Sequence, residues 1–326
     1  MEALVHAQES YANILARLNC ASVAKHFDAY VDVPWDDPAA HMDPSDPRWE
    51  QGPHEPLGAT SWYQTRPRAE RARLGLALTV YRMKRGVEFE SVASRGLLEF
   101  ALTCPNGSAD FRYAYHELIE EGQHSLMFQE FVNRSRCDVQ PLAGVYRLLA
   151  RRVPRLGRAF PELFFVHVLA GELPIDQTQR SQLRAAGAVH PLLRRIMQIH
   201  VTEEARHVCF AYKYLATRLP QLSRARRSRL RWMAPFISAQ TVRLMLEPQR
   251  SFTRQQGIPD SVMAEVYGSQ QHRELVSHAV RPLYEAFRQL GVVTETTAPL
   301  WQLLGFGAAQ LQQTALPSAH ERLPAK

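Results

Sequence analysis

Apolar residues recur along this chain at helical spacing, and no stretch alternates as a strand would. Residues 8–29 carry Ile14, Leu15, Leu18, Val23 and Phe27 on one side and predict a first helix. A second runs over 67–103 through Leu76, Leu78, Val80, Tyr81, Val87, Val92, Leu97, Leu98 and Phe100, with no proline between Pro67 and Pro105. Pro105-Asn106-Gly107 breaks it, and Ser108 is placed to cap the next helix, which reaches about residue 133. A short helix near 143–151 precedes Pro154, and another covers 160–186, where Pro174 is expected to kink or interrupt it. Pro191 suits the first turn of a helix over 190–217, which Pro220 closes. Further helices are predicted over 222–246, 260–267, 272–290 and Leu300–Leu311, with frayed residues at the end. The fold class is therefore all-α.

Between the first two helices, residues 33–60 hold Pro34, Pro38, Pro44, Pro47, Pro53 and Pro56 among several aspartates. Such a long irregular stretch either carries function or wraps the body, and its bland alternative is a plain surface arm. The predicted organisation is an N-terminal helix and Pro-rich arm over 1–66, then a helical domain with C-terminal helices over 67–326.

Composition narrows the class. The 326 residues are 45% hydrophobic, enough for a sizeable core. Lys and Arg number 39 against 32 acids, a net charge of +7, yet no nucleic-acid motif accompanies the excess. No apolar run approaches the roughly 20 residues a membrane span needs. Cys20, Cys104, Cys137 and Cys209 have no paired spacing, and no signal peptide is apparent, so a reducing cytoplasm is expected. Asn106-Gly107-Ser108 and Asn133-Arg134-Ser135 match a glycosylation pattern by chance. No Gly-rich phosphate loop, nucleophile elbow or Cys-x-x-Cys occurs.

The candidate chemistry lies in His200-Val-Thr-Glu203-Glu204-Ala-Arg-His207. At about 100° per residue, Glu204 lies about 40° from His200 and His207 about 20° to its other side, whereas Glu203 points elsewhere. Glu-x-x-His is the inward-facing unit of di-iron carboxylate bundles. Glu121-Gly-Gln-His124 repeats it. Glu172 lies between the copies in an apolar run, and Glu90 precedes them, with Glu88 and Glu99 as alternatives. Hard carboxylates can hold and bridge two cations while imidazoles fill terminal positions. The competing reading of each acid is a solvated helix face. A four-helix site is complete without His200, which is then either a third imidazole or a satisfied core histidine.

The set Glu121-x-x-His124, Glu172 and His200-x-x-x-Glu204-x-x-His207 resembles the di-iron arylamine N-oxygenases, the p-aminobenzoate N-oxygenase-like enzymes, over about residues 67–215. The resemblance implies a ferritin-like four-helix bundle core with flanking helices. It implies two iron ions (Fe2+/Fe3+), O2 as co-substrate, an external electron donor and a homodimer. By position, Glu90, Glu121 and His124 would hold one iron, Glu172, His200 and His207 the other, and Glu121 and Glu204 would bridge. An amine, free or carrier-tethered, would be oxidised to a hydroxylamine, nitroso or nitro product in specialised-metabolite biosynthesis. The chain departs from the expected pattern at Pro174 and in its long arm.

Other features are secondary. The run Arg224, Arg226, Arg227, Arg229, Arg231 and the group Arg151, Arg152, Arg155, Arg158 are either docking points for an acidic carrier or reductase, or solvated faces. Tyr113, Tyr115 and Tyr212 are core aromatics or donors near the ligands. His116 and His167 read as packing or surface histidines. A di-iron C–H hydroxylase or desaturase and a non-catalytic ferritin-like iron-binding protein are the rival functions.

Overall fold

The computed structural model describes residues 10–142, 144–185 and 189–306. Among these residues there are helices and no strand. The expected frayed end and residues 307–311 lie outside the described residues.

The first helix, α1 (Tyr11–Ala24), is shorter than its periodicity predicts. Ile14, Leu15 and Leu18 are buried, but Val23 is 55% exposed and Phe27 lies beyond the helix end. Phe27 packs instead with the arm, so an apolar residue belonging to a different layer extended the apparent pattern.

The arm is not a plain surface feature. It forms two single turns, at Pro38–Ala40 and Pro47–Trp49, before the one-turn α2 (Ser61–Gln64). Its Val33, Trp35, Ala40, Trp49 and Leu57, with Ala29 just before it, are buried in one cluster with Leu76, Val80 and Phe131 of the helical body. Trp49 stacks on His190 at 4.2 Å, just before the last of the four long core helices, and meets Phe131 edge-on.

Four long helices form the core. α3 (Arg68–Ala101) starts directly after Pro67. α4 (Ala109–Ser135) is capped as expected, the Ser108 hydroxyl accepting from the Asp110 amide at 3.2 Å. After α5 (Gly144–Arg152) and the single turn α6 (Leu156–Ala159) comes α7 (Pro161–Arg184), then α8 (Pro191–Arg218) with proline in its first turn. Pro174 does not end α7. Leu163, Phe164, Phe165, Val166, Val168 and Leu169 are each completely buried. Burial at roughly 1.5–3 kcal/mol per large apolar side chain outweighs the ~3 kcal/mol an interior proline costs. The flanking helices are α9 (Arg224–Leu246), α10 (Arg250–Gln255), α11 (Asp260–Gly268), α12 (Gln270–Gln289) and α13 (Ala298–Leu303). Both α9 and α12 lie on α7. No described helix is long and apolar enough to cross a membrane.

The core is layered in a way that positions the site. Leu97, Phe100, Tyr113 and Phe210 belong to one large apolar cluster, and Leu76, Val80, Phe128, Phe131 and Ile199 to another. Between these two clusters the buried residues of α4 are Glu117, Glu120, Glu121 and His124, those of α8 include His200, Glu203, Glu204 and His207, and α3 adds Glu90.

Candidate metal centre

α4 and α8 run in opposite directions through this polar layer: His124 and Phe128 lie beside His200, whereas Glu120 meets His207 and Tyr113 meets Phe210. Glu90 of α3 and Glu172 of α7 reach the same layer. All seven residues singled out in the sequence, Glu90, Glu121, His124, Glu172, His200, Glu204 and His207, are buried, none more than 3% exposed.

They fall into two groups of donors. Glu90, His124, His200 and Glu204 form one, and Glu117, Glu121, Glu172 and His207 the other. Within each group, one ligand atom per residue lies within 4.8 Å of the rest. Glu121 and Glu204 stand between the imidazoles. The Nδ1 of His124 is 3.2 Å from Glu121 and 3.5 Å from Glu204, and that of His207 is 3.1 and 3.6 Å from the same two acids.

His200 is not where the resemblance put it. Its Nε2 is 3.3 Å from Glu204 and 3.6 Å from Glu90, beside His124 rather than beside Glu172 and His207. The cause is helix direction. His200 and His207 are about 10 Å apart along α8, and on antiparallel α4 that separation leads from the level of Glu120 to the turn between His124 and Phe128, both of which lie beside His200.

The place the resemblance gave His200 is taken by Glu117, which the sequence reading missed. The signal was present. Glu117-x-x-x-Glu121-x-x-His124 has the same spacing as His200-x-x-x-Glu204-x-x-His207. Exchanging α4 with α8 and α3 with α7 maps one donor group onto the other, with Glu117 in place of His200.

Glu203 corrects a second expectation. It does not point elsewhere: it is fully buried, and its Oε2 lies 2.9 Å from the Nε2 of His124. On the helical wheel it sits only about 40° beyond His207, and α8 is buried on that flank as well. Glu120 holds the matching place on α4, 2.9 Å from the Nε2 of His207. Among the alternatives, Glu88 pairs with Arg85 at 2.7 Å, and neither it nor Glu99 joins a donor group.

The remaining candidates sort by contact. Tyr113 is a core aromatic on Phe210, Tyr115 is 40% exposed, and Tyr212 donates to Gln289. His167 pairs with Thr241, and burial lowers it to about 4. Neither it nor His116 belongs to a donor group. Arg226, Arg227 and Arg231 of the arginine run are tied to Glu162, Pro220 and Gly291. No disulfide joins the four cysteines.

The electrostatics call for a cation. Both carboxylate oxygens of Glu117, Glu172 and Glu204 are buried without a hydrogen bond, a costly state for an ionised group. Burial pushes Glu90, Glu117 and Glu172 well above the usual carboxylate range, and for Glu90 and Glu172 neighbouring acids push the same way. Burial would raise Glu121 too, but His207 and His124 outweigh it and hold this acid well below. Burial would lower His124, but Glu121 and Glu203 outweigh it and hold the imidazole up at about 9. Burial takes His200 down to about 4. Without metal the cluster must retain protons, and a metal would displace them. Two groups of carboxylate and imidazole donors, sharing acids between them, fit a pair of transition-metal ions.

The family model for p-aminobenzoate N-oxygenase AurF matches residues 8–291. The chain belongs to this family. Proteins of Mycobacterium bovis and of two strains of Mycobacterium tuberculosis are 36% identical to it over 294 residues, covering 90% of this chain and 86% of theirs. All three are described only as uncharacterized. The AurF family is one of di-iron oxygenases with an all-α, ferritin-like fold, which accords with the helices and buried Glu/His groups seen in this chain.

Proposed function

We propose that this AurF-family member is an O2-dependent non-haem di-iron N-oxygenase acting on an amine, free or carrier-tethered, in specialised-metabolite biosynthesis. The observation that carries the reading is the pair of buried four-donor groups meeting at Glu121 and Glu204. Glu90, His124, His200 and Glu204 would hold one iron, and Glu117, Glu121, Glu172 and His207 the other. Bound iron supplies the redox chemistry by which O2 is activated with electrons from an external donor. The first oxidation balances as amine, O2, two electrons and two protons giving hydroxylamine and water; nitroso and nitro products are further stages. The protein's own part is to fix the donors on four packed helices and to keep water out with an apolar cluster on either side. A small-molecule or carrier-bound amine, a redox partner, a homodimer and a reducing cytoplasm belong to the same proposal.

The test is to load the protein with ferrous iron and supply a reductant, 18O-labelled O2 and a panel of aryl and alkyl amines. Hydroxylamine, nitroso or nitro products carrying the label are expected. Label on carbon, or desaturation, would replace the reading with a C–H hydroxylase or desaturase. Iron uptake without any product would leave a ferritin-like iron-binding protein.

A further inference from the structure

The donor groups account for Glu117, Glu121, His124, His200, Glu204 and His207 but leave three buried charged residues of the same helices unused: Glu120, Glu203 and Arg206. Their places follow from the repeat. The pattern x-x-x-Glu-Glu-x-x-His occurs at 117–124 and again at 200–207. The second glutamate of each copy lies among the metal-capable donors. The first reaches across to the other helix, Glu120 of α4 to the Nε2 of His207 and Glu203 of α8 to the Nε2 of His124, both at 2.9 Å. Arg206 then joins the two outer acids, its guanidinium 2.8 Å from Glu120 and 3.4 Å from Glu203. The matching position on α4 is Gln123, which instead accepts from the Ala29 amide just before the arm.

We propose that Glu120 and Glu203 are positioning residues that aim the two imidazoles crosswise, each helix orienting the histidine of the other, with Arg206 coupling the two. An ionised carboxylate only accepts, so each Nε2 must carry the hydrogen and donate it. That turns the Nδ1 of each ring toward Glu121 and Glu204, where the donor groups converge. Ring orientation is thereby set before any metal arrives, and with Nε2 kept as the donor it is Nδ1 that a metal would take. Acids behind ligating imidazoles act in this way elsewhere, and their loss weakens metal binding by about 10–100-fold. The proposal rests on the di-iron reading of the same residues.

The test needs no turnover. Metal-free protein is titrated anaerobically with Co(II), and the visible bands of the bound ion report both affinity and geometry. Glu203→Ala should weaken one of two Co(II) sites by about 10–100-fold and change its bands, while Glu203→Gln, which keeps an acceptor, restores much of the loss. In a His124→Ala background Glu203→Ala should cost nothing further, whereas in a His207→Ala background it should cost its full amount. Glu120→Ala should show the reverse dependence, and Arg206→Met should disturb both sites. Circular dichroism of each metal-free variant separates these effects from unfolding. Additive losses in both backgrounds, coupling to the histidine of the same helix, or Glu203→Gln no better than Glu203→Ala would overturn the crossed arrangement while leaving the di-iron reading intact. A wild-type protein that binds no Co(II) would sink both.

Discussion

Glu117 and His200 occupy equivalent places in two copies of one helical pattern, each seven residues before a histidine and four before a shared glutamate. They are the single difference in residue type between the two donor groups, one of which has two imidazoles and the other a third carboxylate. Metal ions held by the two groups would therefore meet unequal charge and donor softness. Glu117→Ala is expected to lower iron from about two ions per chain toward one, with His200→Ala depleting the other position. Glu99→Ala, which changes a residue in neither group, should leave the content unchanged. Metal analysis of protein made in iron-replete cells reads this directly, and full iron in Glu117→Ala would remove that residue from the site.

The protons stored in the metal-free cluster predict an inverted pH response. His124 is held up at about 9 against an ordinary value near 6.5, since Glu121 and Glu203 outweigh the lowering effect of burial. His207 is raised in the same direction, its acidic neighbours again overcoming burial. A group whose folded value is raised stabilises fully below its unfolded value and loses that stabilisation as pH rises through the folded one. The His124 contribution, on the order of 3 kcal/mol, should thus be present at pH 6 and fade toward pH 9. Metal binding needs neutral imidazoles and ionised acids, so the stabilisation conferred by metal should grow over the same interval. Melting curves with and without Co(II) at pH 6, 7.5 and 9 check both trends. A metal-free protein that gains stability between pH 6 and 9 would contradict the assignment.

Much of this site is legible in the residues, and the part that is not has identifiable causes. Helical spacing alone brings Glu121, His124, Glu204 and His207 to notice, because a pair one turn apart must share a face. Glu120 and Glu203 stay hidden because an acid off that stripe reads as solvent-facing; only packing reveals that α4 and α8 are buried on a second flank. His200 is visible, but its partners are not, since spacing says nothing of the direction in which the opposing helix runs. Glu117 lay within reach of the same argument, had the spacing that marked His200 been applied to the first copy. For the fold, Phe27 lengthened α1 on paper because an arm residue and a helix residue look alike one turn apart, and Pro174 suggested a break that the buried surface of α7 overrides.

The approach of α3 to α7 depends on a missing side chain. A Cβ on Gly171 would stand 2.2 Å from the ring of Phe89. The two residues adjoin Glu172 and Glu90, which lie in different donor groups. Gly171→Ala should therefore push the helices apart, costing about 1–3 kcal/mol and weakening metal at both positions. Phe89→Leu in the same chain should recover part of both losses, because the smaller side chain makes room. Urea unfolding and Co(II) titration of the two single variants and the double would show this as strong non-additivity. Simple addition of the two effects would mean that this contact does not set the helix spacing.

The arm's role in the body predicts a stability defect far from the donors. Trp49 is 2% exposed, stacks on His190 immediately before α8 and meets Phe131 of α4 edge-on. It also lies against Gly75 of α3, where a Cβ would approach the Trp49 carbonyl oxygen closer than any real side chain does. Trp49 thus reaches three of the helices that carry the site, the indole meeting α4 and the start of α8 and the backbone lying on α3. Trp49→Ala should cost about 3–5 kcal/mol, as for a core aromatic, whereas an ordinary surface change stays within about 0.5 kcal/mol. Trp62→Ala, a change in the short helix that ends the arm, should cost less, since Trp62 is only partly buried against the same cluster. If denaturant midpoints show Trp49→Ala as mild as a surface change, the arm is a detachable cover and does not help hold α3, α4 and α8 in register.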